Sequence, residues 1–172
     1  MLKKPLHDEY PAYYENYIGL VPDGELTDIL NTQIQDMITL FSSVDETQAN
    51  YRYAENKWTL KEVIGHIADT ERIMSYRLLR IARGDQTPLS GYDDEQYVRE
   101  ASIHSRSLSD LLEELVAVRY STVSLIKGLN ENTWPRKGIA NNGEITVRAL
   151  ANIIAGHELH HVKIIKEKYL KR

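Results

Sequence analysis

Apolar residues recur every three to four positions along four stretches of the chain, and this spacing predicts four long amphipathic helices. The first runs from about Gly24 to Ser43, with Leu26, Leu30, Ile34, Met37, Ile38 and Phe41 on its inward face. The second spans about Thr59 to Arg83. Thr59 and Glu62 make a capping-box pattern at its start, and Gly84 marks its end. Its stripe is Leu60, Val63, Ile64, Ile67, Met74, Leu78 and Ile81. The third covers about Ser107 to Leu129, with Leu108, Leu111, Leu112, Leu115, Val118, Val123 and Ile126 inward. The fourth begins at Thr146, a plausible cap, and runs to Lys168 or Tyr169 through Val147, Leu150, Ile153, Ile154, Ile164 and Ile165.

The connections are informative too. Gly84 to Arg106 is too long for a plain antiparallel turn, and a crossover of this kind lets consecutive helices run parallel. A short helix near Asp94–Ala101 occupies part of it. Asn130 to Glu144 carries Pro135, Gly138 and Asn141-Asn142-Gly143, which predicts a loop or small turn structure. No strand pattern is evident. The expectation is an all-α four-helix bundle with a long crossover, forming one domain over residues 1–172. Residues 1–22 form an N-terminal extension packed on the bundle. Its Tyr10, Tyr13, Tyr14 and Tyr17 suit a segment laid across a surface, each with an apolar ring and a polar tip, the alternative being that they line a pocket or a subunit contact.

Three polar features interrupt the stripes. In the fourth helix, His157-Glu158-Leu159-His160-His161 puts His157 and His161 four residues apart, about 40° from each other on the helical wheel. Both fall in the middle of the apolar face, where two imidazoles one turn apart are hard to satisfy without a shared partner. Two neutral ring nitrogens in this arrangement can meet one divalent cation. His160 falls on the shoulder of the stripe. In the second helix His66 lies about 90° from the centre of its stripe, a boundary position. Glu71 lies near the centre and so needs a partner: a metal, a metal-bound histidine, or an arginine from another helix.

His157-Glu158-x-x-His161 also matches the zinc-protease pattern with Glu158 as general base. The context opposes it. Residues 162–169 hold neither a third histidine nor a glycine, only 11 residues follow His161, and no strand-rich half exists to bind a peptide. A third ligand has to come from upstream.

The segment Trp58-Thr59-Leu60-Lys61-Glu62-Val63-Ile64-Gly65-His66-Ile67-Ala68-Asp69, followed by Glu71, resembles the first signature of the DinB-like, YfiT-related four-helix proteins. Gly156-His157-Glu158-Leu159-His160-His161 resembles their second, and Gly91-Tyr92-Asp93-Asp94-Glu95 resembles the acidic loop of the YfiT-like branch. The resemblance extends from about Val21 to the C-terminus. It implies one divalent metal ion per chain, Zn2+ or Ni2+, held by His66, His157 and His161. It also implies chemistry of either the metal-dependent hydrolase or the thiol-transferase kind, and pairing as a homodimer. Glu158 departs from the pattern common among relatives.

Composition narrows the setting. The 172 residues carry a net charge of −4 with acids and bases interspersed, so nothing invites nucleic acid. No signal-like N-terminus and no apolar run near 18 residues appears, which predicts a cytoplasmic protein without a membrane partner. With no cysteine there is no disulfide, thiolate ligand or cysteine nucleophile.

Three neutral ligands leave a metal its charge and an open position, the pattern of catalytic rather than structural zinc. Such a metal lowers the pKa of bound water to about 7 and activates a thiol in the same way. The expected function is therefore activation of water or a low-molecular-weight thiol against a small electrophile, with Glu158 or Glu71 as catalytic proton carriers. Asp69 and His160 are expected beside the ligands as their hydrogen-bond partners. The rival reading is a non-catalytic, metal-stabilised bundle acting as a stress or interaction protein.

Overall fold

The computed structural model describes residues 4–170, so the ends of the 1–172 domain, residues 1–3 and 171–172, lie outside the described residues. Four long helices dominate: α2 (Leu26–Phe41), α4 (Leu60–Ala82), α6 (Leu108–Lys127) and α7 (Val147–Ile164). Shorter elements are α1 (Glu15–Ile18), α3 (Glu46–Ala49) and α5 (Asp94–Glu100), with a π-helical turn over Ile165–Tyr169.

Local chemistry sets the helix starts. Thr59 accepts from the Glu62 amide while the Glu62 side chain takes the Thr59 amide, and Ser107 with Asp110 does the same for α6. Thr146 caps α7 through the Ala149 amide. Each such cap is worth about 1 kcal/mol. After α4 the chain turns at Gly84 with φ +82°, a left-handed conformation that glycine adopts without penalty.

Helix α4 packs on both α6 and α7, and α2 packs on the same two, so the consecutive long helices α2 and α4 lie across the bundle from each other. Lys61 Nζ donates to the Arg106 carbonyl just before α6, while Arg72, further along α4, pairs with Glu114 of α6. The two helices therefore run in the same direction, which the long crossover allows. Helix α7 is antiparallel to α4: Tyr169 Oη donates to the Trp58 carbonyl at the start of α4, and Arg136 reaches the Ala82 carbonyl at its end, ten residues before α7 begins near Thr146.

The predicted stripes form the core, with Leu30, Leu60, Ile64, Leu78, Leu115, Leu150 and Ile153 fully buried. Ile38 departs from expectation and is 40% exposed, because α2 presents that side to solvent. The segment 130–144 departs more. Instead of a loop without strands, Lys137–Ala140 (β1) and Gly143–Thr146 (β2) pair antiparallel, Lys137 opposite Thr146 and Ala140 opposite Gly143. Asn141 and Asn142 both have positive φ, the backbone of a two-residue hairpin turn whose twist matches the strands. The crossover docks on this hairpin: the Leu89 amide donates to the Ile139 carbonyl, and the Asn141 amide donates to the Leu89 carbonyl.

The N-terminal segment lies on the bundle. Tyr10, Tyr14, Ile18 and Val21 are buried in the core cluster, and Glu9 pairs with Arg148 and accepts from Thr146. Among the described residues no helix is long and apolar enough to cross a membrane.

Candidate metal centre

Helices α4 and α7 bring His66, His157 and His161 together. His66 Nε2 and His161 Nε2 each lie 3.1 Å from His157 Nε2, and all three nitrogens fall within 4.8 Å of one another. Nitrogens on one tetrahedral zinc at about 2.0–2.1 Å lie roughly 3.3–3.4 Å apart, so the spacing fits three ligands of a single ion. Hydrogen bonding alone satisfies such a cluster poorly, since one ring proton cannot serve two convergent acceptors. Burial keeps the rings neutral. It lowers the His66 pKa to about 4 despite Asp94, and the His161 pKa to about 3 with help from His66 and His160. His157, the most enclosed, is pushed well below the ordinary imidazole value. At neutral pH three lone pairs are therefore available.

A glycine makes this convergence possible. A Cβ on Gly156 would come within 2.0 Å of the Tyr17 carbonyl oxygen, so only glycine lets the N-terminal segment lie against α7 beside His157. At Gly65, next to His66, a Cβ would meet only the movable end of the Ile103 side chain, Cδ1 at 2.4 Å, so the constraint there is softer. The rings are then held by aromatic neighbours. The Trp58 ring lies tilted against His66 with centroids 4.6 Å apart, and Tyr17 meets His157 and His160 edge-on at 5.5 and 5.2 Å.

The histidines form one wall of a cleft of about 440 Å³, a volume usual for small-molecule sites. Tyr13, Tyr14, Tyr17, Trp58 and Tyr92 contribute aromatic walls, and Thr70, Met74, Arg77, Asp94 and Asn141 complete the lining. Thr70 Oγ1 and Tyr92 Oη are hydrogen-bonded at 2.8 Å. Trp58 Nε1 donates to Glu95 Oε2 at 3.0 Å, which ties the start of α5 to the rim.

Glu71 and Glu158, expected to carry protons at the site, are placed elsewhere. Both carboxylates bind Arg119 of α6 in the bundle interior, and neither lines the cleft. Arg119 is fully buried. Besides these carboxylates it donates to the Leu30 carbonyl at 2.9 Å and Gln33 Oε1, while Gln33 Nε2 donates to the Ala155 carbonyl. The network ties all four long helices together. Of the three partners open to Glu71, the structure selects an arginine from another helix. The reason is directional: one residue past His157 the helix has turned 100°, which takes Glu158 off the histidine face.

Asp69 is half-buried, and its carboxylate pairs with Arg72. His160 is half-buried against Tyr17 and His161. The acid that does line the cleft is Asp94, the first residue of α5, and its charge is felt by His66, Tyr17 and Tyr92. Arg77 and Arg119 carried signals that the stripe analysis passed over. Arg77 follows His66 by 11 residues, three turns plus about 20°, and so shares its face. Arg119 sits among Leu115, Val118 and Val123 on the apolar side of α6.

The family model described as the DinB superfamily matches residues 29–165. Two curated Oceanobacillus iheyensis proteins are similar, each named "Putative metal-dependent hydrolase". One is 27% identical over 127 residues, covering 73% of this chain and 72% of the relative. The other is 25% identical over 149 residues, covering 81% and 86%. Among solved structures, YfiT from Bacillus subtilis aligns with a TM-score of 0.71 at 18% identity, over 96% of this chain and 90% of that one. It is described as "a probable metal-dependent hydrolase with an unusual four-helix bundle topology".

Proposed function

The chain belongs to the DinB superfamily, and from that premise we propose that it is an enzyme holding one divalent metal ion, Zn2+ or Ni2+, through the Nε2 atoms of His66, His157 and His161. The reaction is attack of water or a low-molecular-weight thiol on a small electrophile in the cleft. The observation that carries this reading is the open 440 Å³ cleft against a cluster of three neutral, convergent imidazoles. A structural ion would be enclosed by four protein ligands, whereas among the described residues no carboxylate shares this cluster.

The metal supplies a positive centre that lowers the pKa of the nucleophile it binds. The chain's own residues do the rest. Asp94 accepts the proton released by the nucleophile at its carboxylate. Trp58, Tyr14 and Tyr17 exclude water from the histidine wall and present apolar surface to the substrate. The close approach of the Tyr17 backbone to Gly156 keeps His157 in place.

Elemental analysis of untagged protein beside His66→Ala tests the site. About one zinc or nickel per chain, lost in the variant, is expected. Absence of metal from the unsubstituted protein after reconstitution would reject the proposal. With metal established, turnover of activated esters or amides separates hydrolysis from thiol transfer to a chlorinated aromatic. Asp94→Asn should lower kcat by about 100-fold or more with metal content unchanged. Full activity in Asp94→Asn would remove it from the mechanism.

A further inference from the structure

Among the described residues two arginines are buried in the bundle. Arg119 has two carboxylates, but Arg77 has none. Arg77 is 3% exposed, and its guanidinium donates to the Ser90 carbonyl at 2.7 Å and contacts Met74 Sδ at 3.7 Å. Its Cζ lies 5.8 Å from the centre of the Tyr92 ring. These partners are neutral, and arginine is seldom buried without an anion. The more exposed Arg72 and Arg80 on the same helix are paired with Glu114 and Asp85.

Arg77 also lines the cleft that the histidines wall. His66, Thr70, Met74 and Arg77 follow one another along a single face of α4, all four on the lining. From His66 to Arg77 the helix rises about 16 Å, and side chains on a helix lean toward its N-terminus, which turns Arg77 toward the histidine end. The cleft thus has a nucleophilic end at the histidines and a cationic end with fork geometry suited to carboxylate or phosphate. Asp94 is the cleft's acid, exposed and close enough to His66 for its charge to be felt there.

We propose that Arg77 is the subsite for an anionic group, a carboxylate or a phosphate, carried by the small molecule that reacts at the histidine centre. The inference rests on reading the cleft as a reaction site and adds the substrate class: an extended molecule with its electrophile or nucleophile at one end and its anion at the other. Ser90 and Tyr92 hold the guanidinium in place, so the anion meets a donor that is already oriented.

The test is calorimetric titration of the metal-loaded protein with succinate, inorganic phosphate and the neutral succinamide. The same titrations are run on Arg77→Gln, Arg77→Lys and His157→Ala, with metal content measured in parallel. Saturable binding of an anion, no binding of succinamide, at least ten-fold weaker binding in Arg77→Gln and partial recovery in Arg77→Lys are expected. Tighter binding of succinate supports a carboxylate-bearing substrate, and of phosphate a phosphorylated one. Binding should persist in His157→Ala, where the metal is lost. Protein that lacks metal yet binds anions through Arg77 would defeat the metal reading and keep the subsite. Anion binding that survives Arg77→Gln but vanishes in His157→Ala would overturn the subsite, because the metal would then be the anion's partner. The Arg77 Nε–H resonance of the unsubstituted protein should shift with the same saturation, a readout that needs no variant to fold. A resonance that stays still while anions bind would also overturn the proposal.

Discussion

His66 and Glu71 come from one stretch of α4, and His157 and Glu158 are neighbours on α7, yet the imidazoles and the carboxylates build two clusters of opposite character. The histidine cluster gathers three uncharged rings at the wall of a cleft, with each pKa pushed down by burial. The Arg119 cluster is closed. One guanidinium meets two carboxylates, and every remaining donor reaches a carbonyl or an amide oxygen of α2. The difference shows how a bundle separates stability from chemistry on the same helices. Charges that satisfy each other are sealed between four helices, while groups that need an outside partner face the cleft.

The largest expected effect is on stability. Arg119→Met leaves Glu71 and Glu158 buried without a counter-charge and should cost about 3–5 kcal/mol in urea denaturation. A near-neutral result would mean the carboxylates have another partner and the clamp is not what joins the helices. Next comes metal affinity. His157→Ala removes the nitrogen central to the cluster and should weaken metal binding by more than the roughly 10–100-fold typical of losing an outer partner. Its effect on the metal-free fold should stay near 1–2 kcal/mol, far below that of Arg119→Met.

Acid sharpens the contrast. The folded-state pKa values of His66 and His161, about 4 and about 3, lie below the unfolded value near 6.5. The unfolded chain therefore binds protons first. The stability of the metal-free protein should be full above about pH 6.5 and fall as the pH drops toward 4 and then 3, with a slope near 1.4 kcal/mol per pH unit for each proton taken up. Glu158 runs the other way: burial, outweighing Arg119, raises its pKa, so acidification relieves it. Replacing all three histidines with Gln should flatten the slope between pH 6.5 and 4, and an unchanged slope would place the responsible groups elsewhere.

Smaller effects test what the clusters exclude. Glu158→Gln keeps the Arg119–Glu71 pair and should cost about 1–2 kcal/mol with metal occupancy and kcat unchanged. Loss of activity at unchanged stability would return Glu158 to the chemistry. Asp69→Asn, at a half-exposed pair with Arg72, should change stability by less than about 1 kcal/mol and leave metal binding alone.

Much of this molecule is readable along the chain. The apolar period, the Thr59–Glu62 and Ser107–Asp110 boxes and the Gly84 stop are short-range features, and they place the first three long helices and the start of the fourth within a residue or two of where they form, while the fourth reaches Tyr169 only through the π-helical turn after Ile164. The pairing of His157 with His161 is equally local, because a single helix puts i and i+4 together whatever surrounds it. The hairpin is harder to see. Its strands are four residues each, too short for alternation to stand out, and the Asn141-Asn142-Gly143 turn is its clearest mark.

Other outcomes depend on how the helices meet. His66 sits at the edge of its stripe, and only the packing of α4 on α7 brings it within 3.1 Å of His157. Glu71 looks like a candidate for metal or proton work until α6 delivers Arg119, and Arg77 looks like one basic residue among many until burial leaves it without an acid. The physical reason is one of range. Helix periodicity and caps are decided within one turn of backbone, whereas the partner of a buried charge depends on the rotation and offset of whole helices, which the packing of many side chains decides together.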